Sequence, residues 1–340
     1  MNEPAHQPPD VQLSDVQVSE DPHRTHDGHG RLHERVGIVV VTHAGAGPML
    51  TRCIDAVAAT THSRVVVVDN SGHDDRRETR GDDLPGSPSV VTRRRCANRG
   101  FGAAANVGFG DATIATTDYV MLLNDDVTVG DGWLEPLVSA LDGDPKLGAV
   151  QPKLLLAGTD PVLINSLGVT IDRYGAGSDL GYRTPDAVAA SGRPVDDPAS
   201  VVSPIEMFTG GAVLLRRAFL DEVGGFDERY FLYYEDVDLA LRGAERGWRY
   251  ACVPASVVEH EMGATTASLD DGGRALQERN RLVTVARFGT WPMLGRAWWL
   301  SVRRLRHEPT AAHRRALLGG LARLPRALVE RARRHRGRGA

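Results

Sequence analysis

Three groups of residues in this sequence have the types and spacing to do chemistry. Asn124-Asp125-Asp126 follows directly on the apolar run Tyr119-Val120-Met121-Leu122-Leu123. Two neighbouring carboxylates repel each other, so a cation or water must offset them. Hard oxygen donors at the end of a buried segment suit Mg2+ or Mn2+, which keep several waters and bridge phosphate groups. Asp69-Asn70 closes a second apolar run, Val65 to Val68. Asn and Asp also favour turns, and turn chemistry explains that pair equally well. Glu235, Asp236 and Asp238 open a segment in which Val237, Leu241, Ala244 and Trp248 keep helical spacing. Acids in a first turn are favoured by the helix dipole on structural grounds alone. The same placement lowers a carboxylate pKa, and an ionised carboxylate sheltered by the preceding RYFLYY accepts a proton near neutral pH. His260 follows the apolar pair Val257-Val258. A lone histidine there is more often structural, but beside a metal its imidazole is a good ligand for Mn2+.

Gly100 to Ala105, GFGAAA, fits the dinucleotide pattern G-x-G-x-x-G/A. That pattern should close the first strand of its unit, with an acid about 20 residues further on. Here it comes after the third strand and the run Arg93-Arg94-Arg95. A diphosphate cradled by backbone amides at a helix start is therefore better supported than a nicotinamide cofactor.

The elements that must carry these residues are legible in the hydrophobic pattern. Val36 to His43, Arg64 to Asn70, Ser89 to Arg95 and Asp118 to Val127 contain short, apolar or β-branched runs that read as strands. GPMLTRCIDAVAAT reads as a helix between them, and NRGFGAAANVGFGDATIA as a Gly-rich turn leading into another. Strands alternating with helices predict a mainly parallel sheet with helices on both faces. Ligands of such sheets bind beyond the carboxyl ends of the strands, so Asp69 and Asn124-Asp125-Asp126 are expected at one edge. Residues 157–204 read as loops with short strands, and the chain is helical from about residue 273. Residues 1–35 lack apolar periodicity and read as a disordered tail, with His6, His23, His26, His29 and His33 solvated rather than metal-bound.

The 340 residues are 41% hydrophobic and 25% charged, ample for a core. The net charge of -4 hides an asymmetry: residues 301–340 hold 12 arginines against only Glu308 and Glu330. The acidic body argues against a general nucleic-acid binder. Neither an apolar run long enough to span a membrane nor a secretion signal is visible. Cys53, Cys96 and Cys252 fit no zinc pattern and read as reduced thiols of a cytoplasmic protein. The tail beginning WPMLGRAWWLSVRRLRHEP mixes Trp and Leu with Arg. Such basic amphipathic helices lie on anionic membrane surfaces, or else pack on the body with a solvated face. Pro325 predicts that the last segment is broken.

Taken in order, VVVTH, VVDNSG, NRGFGAAANVG, LLNDDV, FTGGAVLLRR, GGFDERYFLYYEDVDLALR and VVEH resemble the family-2 glycosyltransferases of the GT-A fold, above all their bacterial rhamnosyltransferase-like members. The resemblance covers about residues 36–290, and Gly224 to Arg242 is its most specific part. It implies a GT-A, Rossmann-like, mainly parallel sheet flanked by helices. A nucleotide-binding half would span 36–130 and an acceptor-binding half 131–290, with a basic helical extension over 291–340. It further implies inverting transfer from a nucleotide-diphosphate sugar, with a UDP- or dTDP-sugar as donor and dTDP-rhamnose first. The acceptor would be a glycan or lipid-linked molecule of cell-surface synthesis, reached from the inner face of the cell membrane. By resemblance Asp126, then Asp125, and in some members His260 hold Mn2+ or Mg2+. Asp69 recognises the pyrimidine, Thr42, Asn98, Gly102, Asn106 and Asp125 border the nucleotide, and Gly210, Gly211 and Glu235 face the acceptor. Asp236 is the catalytic base. Thr42-His43-Ala44 stands where the family usually has Thr-Tyr-Asn, and GFGAAAN replaces a segment usually richer in Gly and Asn. A nucleotidyltransferase or nicotinamide enzyme on the same sheet edge, and a non-catalytic nucleotide-sugar-binding protein, are the alternatives.

Overall fold

Strand β1 (Val36–Thr42) is buried at every residue and lies in the middle of the sheet. The computed structural model describes residues 28–43, 47–72, 79–80, 91–186, 202–261 and 271–337. On one side β1 pairs in parallel with β2 (Arg64–Asp69), which pairs with β4 (Val91–Arg95), edged by the short antiparallel β3 (Thr79–Arg80). On the other side β1 pairs in parallel with β5 (Tyr119–Asn124). The sheet continues through the antiparallel β12 (Ala212–Arg216) to β7 (Leu147–Leu156) and β13 (Arg249–His260), which run parallel to each other. Short strands β6 (Val127–Val129) and β11 (Ser203–Ile205) join β13, and β8 (Leu163–Ser166) joins β7. A separate hairpin is formed by β9 (Val169–Ile171) and β10 (Gly177–Asp179).

Both faces of the sheet are covered, which is why its strands read as continuous apolar runs. Val36, Ile38 and Val40 pack with Leu50, Ile54 and Val57 of α2 (Pro48–Thr60) and with Leu137 and Leu141 of α4 (Glu135–Gly143). Val39 and Val41 point the other way. They belong to the second core layer, with Ala104 and Phe109 of α3 (Phe101–Phe109), Phe219 of α5 (Arg217–Val223) and Val237 of α6 (Glu235–Ala244). Alternation with period two feeds both layers from one strand. The small residues of α3 let it sit close on β1: a Cβ on Gly108 would lie 2.3 Å from Val39 Cγ1.

Three helices complete the described chain: α7 (Asp271–Phe288), α8 (Trp291–His307) and α9 (Ala311–Gly337). They share a small core of Leu282, Val285, Ala297 and Leu317. Arg287 of α7 is buried against Asp238 of α6 and also reaches Asp227 at 3.0 Å, tying this bundle to the sheet domain.

Two expectations are corrected. Residues 28–35 are not part of a disordered tail but form helix α1 (Gly28–Arg35). Leu32 packs on the core, His33 meets Thr61 Oγ1 at 2.7 Å, and Arg35 is paired with Asp118 and Asp142. One turn of apolar and ionic docking stabilises what its own sequence would not. The reading of residues 1–27 lies outside the described residues. Likewise α9 runs unbroken through Pro325. Proline costs about 3 kcal/mol inside a helix. Here Ala316, Leu317 and Ala327 are buried on one face while Pro325 is exposed, so the carbonyl it leaves unpaired is on the wet side.

Candidate active site

Register brings the chemical residues to one edge. Thr42 is opposite Asp69, and Val41 is opposite Asn124, so the ends of β1, β2 and β5 lie level. Because β12 is antiparallel, its beginning, with Gly210 and Gly211 just before it, reaches the same edge. Asn124 N–H donates to Gly211 O at 2.9 Å. The carboxyl end of β13 brings His260 there through its pairing with β6, which starts immediately after Asp126.

Asp125 and Asp126 are turned in different directions. Thr42 Oγ1 donates to Asp125 Oδ2 at 2.5 Å, and burial, then repulsion from Asp126, pushes the Asp125 carboxyl above its ordinary range. Asp126 Oδ1 lies 3.0 Å from His260 Nε2, and both side chains are largely buried. His260 Nδ1 lies 2.8 Å from Asn165 Oδ1. In the tautomer whose Nδ1–H donates to that oxygen, the Nε2 lone pair faces the carboxylate. Two acceptors aimed at each other fit a shared divalent cation. Asn165 then acts as the outer partner that fixes the ligand's tautomer. Among the described residues no cluster of three or more His, Cys, Asp or Glu forms a closed metal cage. An Asp–His pair leaving open positions suits an ion that takes its remaining ligands from water and a diphosphate.

Asp236 sits in the first turn of α6, half-buried. Gly210 N–H donates to its Oδ2 at 3.1 Å and Val237 N–H to its Oδ1 at 2.8 Å. The helix start was expected to lower its pKa. Burial wins instead and pushes it upward despite the two N–H bonds, with the charge of Asp179 adding to the rise. The neighbouring Glu235 is buried, its Oε2 has no hydrogen-bond partner, and burial and then the charge of Asp236 raise it as well. A carboxylate pushed toward neutral is better matched to taking a proton from a hydroxyl than an ordinary one. Gly210 and Gly211 connect the two ends of the site. A Cβ on Gly210 would stand 3.8 Å from Asp236 Cβ, and one on Gly211 3.8 Å from His260 Cε1.

On the other side of the edge, buried Asp69 accepts from Ser71 N–H at 3.1 Å. Asn98 Oδ1 accepts from Gly100 N–H at 3.1 Å and from Asn70 Nδ2 at 3.4 Å, shaping the turn into α3. Two residues expected beside the nucleotide also have packing roles. Asn106 exchanges hydrogen bonds with the backbone of Phe226, both at 2.9 Å. Gly102 provides close packing, since a Cβ there would lie 2.9 Å from Phe226 Cβ. Both brace α3 against the segment leading to Asp236.

Three further residues shape the site, and two of them, Asn165 and Asp179, lie in the stretch 157–204 that reads as loops with short strands. Asn165 orients His260. Asp179, on β10, hydrogen-bonds Ser166 and interacts with both His260 and Asp236. Gln151, fully buried on β7, accepts from Thr209 N–H at 3.0 Å and so holds the Gly210-Gly211 turn. No local motif marks them; they reach the site only through the pairing of β7, β8 and the β9–β10 hairpin. Among the described residues Cys53, Cys96 and Cys252 form no disulfide.

Residues 37–154 match the sequence profile of Glycosyl transferase family 2. Over 249 residues the chain is 30% identical to the N-acetylglucosaminyl-diphospho-decaprenol L-rhamnosyltransferase of Mycobacterium tuberculosis, covering 67% of this chain and 76% of that one. It is 29% identical over 235 residues to the pre-mycofactocin glycosyltransferase of the same species, covering 68% of this chain and 44% of that protein. Among solved structures, GalNAc-T7 with UDP, GalNAc and Mn2+ aligns with a TM-score of 0.60 at 16% identity, over 82% of this chain and 52% of the other. S. aureus TarS 1-349 aligns with a TM-score of 0.50 at 12% identity, over 86% and 81%. The chain belongs to glycosyltransferase family 2, its fold is the GT-A type, and it is a glycosyltransferase. The nicotinamide, nucleotidyltransferase and purely binding readings are set aside by that membership.

Proposed function

We propose that this enzyme transfers a sugar, with inversion, from a UDP- or dTDP-sugar to a hydroxyl of a lipid-linked or polysaccharide acceptor in cell-surface glycan synthesis. dTDP-rhamnose is the first candidate donor. The observation that carries the reading is the pairing of two halves across Gly210-Gly211: an Asp126–His260 pair fit for a divalent cation, and the oriented carboxylate of Asp236. The similarity to a mycobacterial rhamnosyltransferase supports the choice of donor and of a lipid-linked acceptor.

In this mechanism Asp69 binds the pyrimidine, and the Asn98–Gly100 turn and α3 border the diphosphate. Asp126 and His260 would hold Mn2+ or Mg2+, with Asp125 as second carboxylate. When bound, the ion supplies Lewis-acid stabilisation of the negative charge developing on the departing diphosphate. Asp236, steered by two backbone N–H groups, takes the proton of the acceptor hydroxyl as its oxygen attacks the anomeric carbon. Glu235 and the Gly210-Gly211 turn line the acceptor side. Direct attack from the face opposite the diphosphate inverts the anomeric centre and needs no enzyme nucleophile.

The C-terminal bundle supports a place at the inner surface of the cell membrane. Among the described residues no helix is long and apolar enough to cross a bilayer. Trp291, Trp299, Leu318 and Leu321 are each more than half exposed on helices whose charges are mostly arginine. Exposed Trp and Leu among arginines suit the interface of an anionic bilayer. The donor is tested by thermal unfolding with a panel of nucleotide sugars, with and without Mn2+. A ligand of the native state raises the melting temperature. dTDP-rhamnose should give the largest Mn2+-dependent rise; a larger rise with a GDP-sugar would overturn the pyrimidine assignment.

A further inference from the structure

The turn Tyr230–Tyr234 that leads into α6 has an unusual backbone. Phe231 has φ 69° and ψ -59°, and Tyr233 and Tyr234 have φ of 67° and 69°. Non-glycine residues avoid this region, and bulky ones avoid it most, because Cβ crowds the backbone. Three such residues within four positions persist only where the surroundings force them.

What forces them is Asn280, on α7 and outside the site described above. It is only 2% exposed. Its Nδ2 lies 3.0 Å from Tyr230 O, 2.8 Å from Leu232 O and 2.8 Å from Tyr233 O, so two N–H groups serve three carbonyls. Arg279 fixes the amide's orientation. Its Nε donates to Asn280 Oδ1 at 2.8 Å while its Nη2 donates to Tyr230 O at 2.7 Å. A flipped amide would set Oδ1 against three carbonyl oxygens.

The outward groups of the same turn reach both sides of the site. On the donor side Phe231 O accepts from Phe101 N–H at 2.7 Å, and Gly100 lies so close that a Cβ would be 2.0 Å from that oxygen. On the acceptor side Tyr234 Oη donates to Gly175 O at 2.9 Å and accepts from Gly177 N–H at 3.0 Å, at the start of the strand that ends in Asp179. The next residues along the chain are Glu235 and Asp236.

We propose that Asn280 is a positioning residue for sugar transfer: by clamping the strained Tyr230–Tyr234 turn it sets the place of Asp236 and the spacing between the donor-side turn and the Asp179 hairpin. This rests on the reading of Asp236 as the base. The amide does not touch a substrate; it acts through the backbone of the turn.

The test is Asn280→Asp in the full chain. The substitution is close to isosteric and keeps an acceptor for Arg279, but it replaces the two N–H donors by an oxygen. Four quantities are read: kcat with dTDP-rhamnose and a lipid-diphosphate N-acetylglucosamine acceptor, the affinity for dTDP with Mn2+, the melting temperature, and amide hydrogen exchange. Displacement of a catalytic group by about 1 Å costs on the order of 10²-fold, so kcat should fall by about that factor while dTDP affinity is kept. Exchange should quicken within residues 230–236 and not across the sheet. Phe231→Gly added to Asn280→Asp should restore part of kcat, because glycine adopts positive φ without a clamp. The proposal is overturned by wild-type kcat in Asn280→Asp, or by kcat and dTDP affinity falling together in step with the melting temperature. If Asn280→Asp does not fold, Asn280→Ala is read the same way, and failure of both to fold overturns a local role. If the wild-type enzyme transfers no sugar from any donor, it is the transferase reading that fails. The clamp then stands or falls on whether exchange in residues 230–236 quickens.

Discussion

Asp236→Asn separates chemistry from folding more cleanly than any other single change at this site. The carboxylate accepts from Gly210 N–H and Val237 N–H, one on each oxygen. The amide that replaces it has the same shape but one acceptor, so one N–H loses its partner, a cost of about 1 kcal/mol. Against that, the buried Glu235 no longer has beside it the Asp236 charge that pushes its pKa up, and the group that burial itself pushes up is gone. The signs follow from linkage. A carboxyl whose pKa is raised on folding holds its proton where the unfolded chain has released it, so stability falls as pH rises from the ordinary carboxylate range through the folded pKa. Removing one such group should therefore leave the protein no less stable than wild type near pH 8, and its relative advantage should grow from pH 5 to pH 8. The reaction behaves oppositely. Loss of a general base costs about 10²–10⁴-fold, or roughly 3–5 kcal/mol of barrier. The assay pairs kcat for transfer with the melting temperature at several pH values and the affinity for the donor nucleotide with Mn2+. Turnover within about tenfold of wild type, below the smallest loss expected for a general base, rejects Asp236 as the base. A melting advantage that shrinks as pH rises refutes the linkage argument.

Asp126→Ala, or treatment with EDTA, should abolish transfer, and full activity without metal would sink the Asp126–His260 assignment. Asn165→Ala should weaken Mn2+ activation by about 10–100-fold through His260, measured as the Mn2+ concentration for half-maximal rate; an unchanged value would make Asn165 merely structural. The wild-type rate should rise with pH, with its inflection above the ordinary carboxylate range because burial raises Asp236; a profile flat from pH 4 upward argues against that carboxylate. Replacing Trp299 and Leu318 by Ser should reduce binding to anionic vesicles without changing binding to dTDP and Mn2+, and equal vesicle binding would refute the membrane face.

The half of the fold that ends at Asp126 was legible because β1, β2 and β5 are buried along almost their whole length and each is closed by a polar residue. Val36, Val65 and Tyr119 all begin runs that no amphipathic helix would show. The second half was less legible for a physical reason. Asn165 and Asp179 sit on short strands of local antiparallel pairs and Gln151 on a strand whose partner β13 lies far along the chain, and nothing local marks the residue that turns toward the site. The helix of Glu235 was visible in its 3–4 spacing, whereas the upward push on its carboxyls was not, since burial depends on what packs above it. Gly102 and Asn106, whose residue types suit phosphate contact, also hold α3 on the Phe226 segment, a role their sequence context does not announce. Helix propensity misjudged Pro325 and residues 28–35, where tertiary docking outweighs local preference.

Strand β13 changes register against β7 between Val253 and Val257, where Pro254, Ala255 and Ser256 bulge out of the ladder. Its first part is paired with β7 and β11; its last rungs, Val258 to His260, are held by β7 and β6. The strand therefore behaves as two short ones sharing a chain. A residue gained or lost within the bulge would alter its size and leave the rung of His260 in place, whereas the same change between Val257 and His260 would turn another side chain toward Asp126. Tolerance to insertion should switch from high to none within a few residues along a single strand.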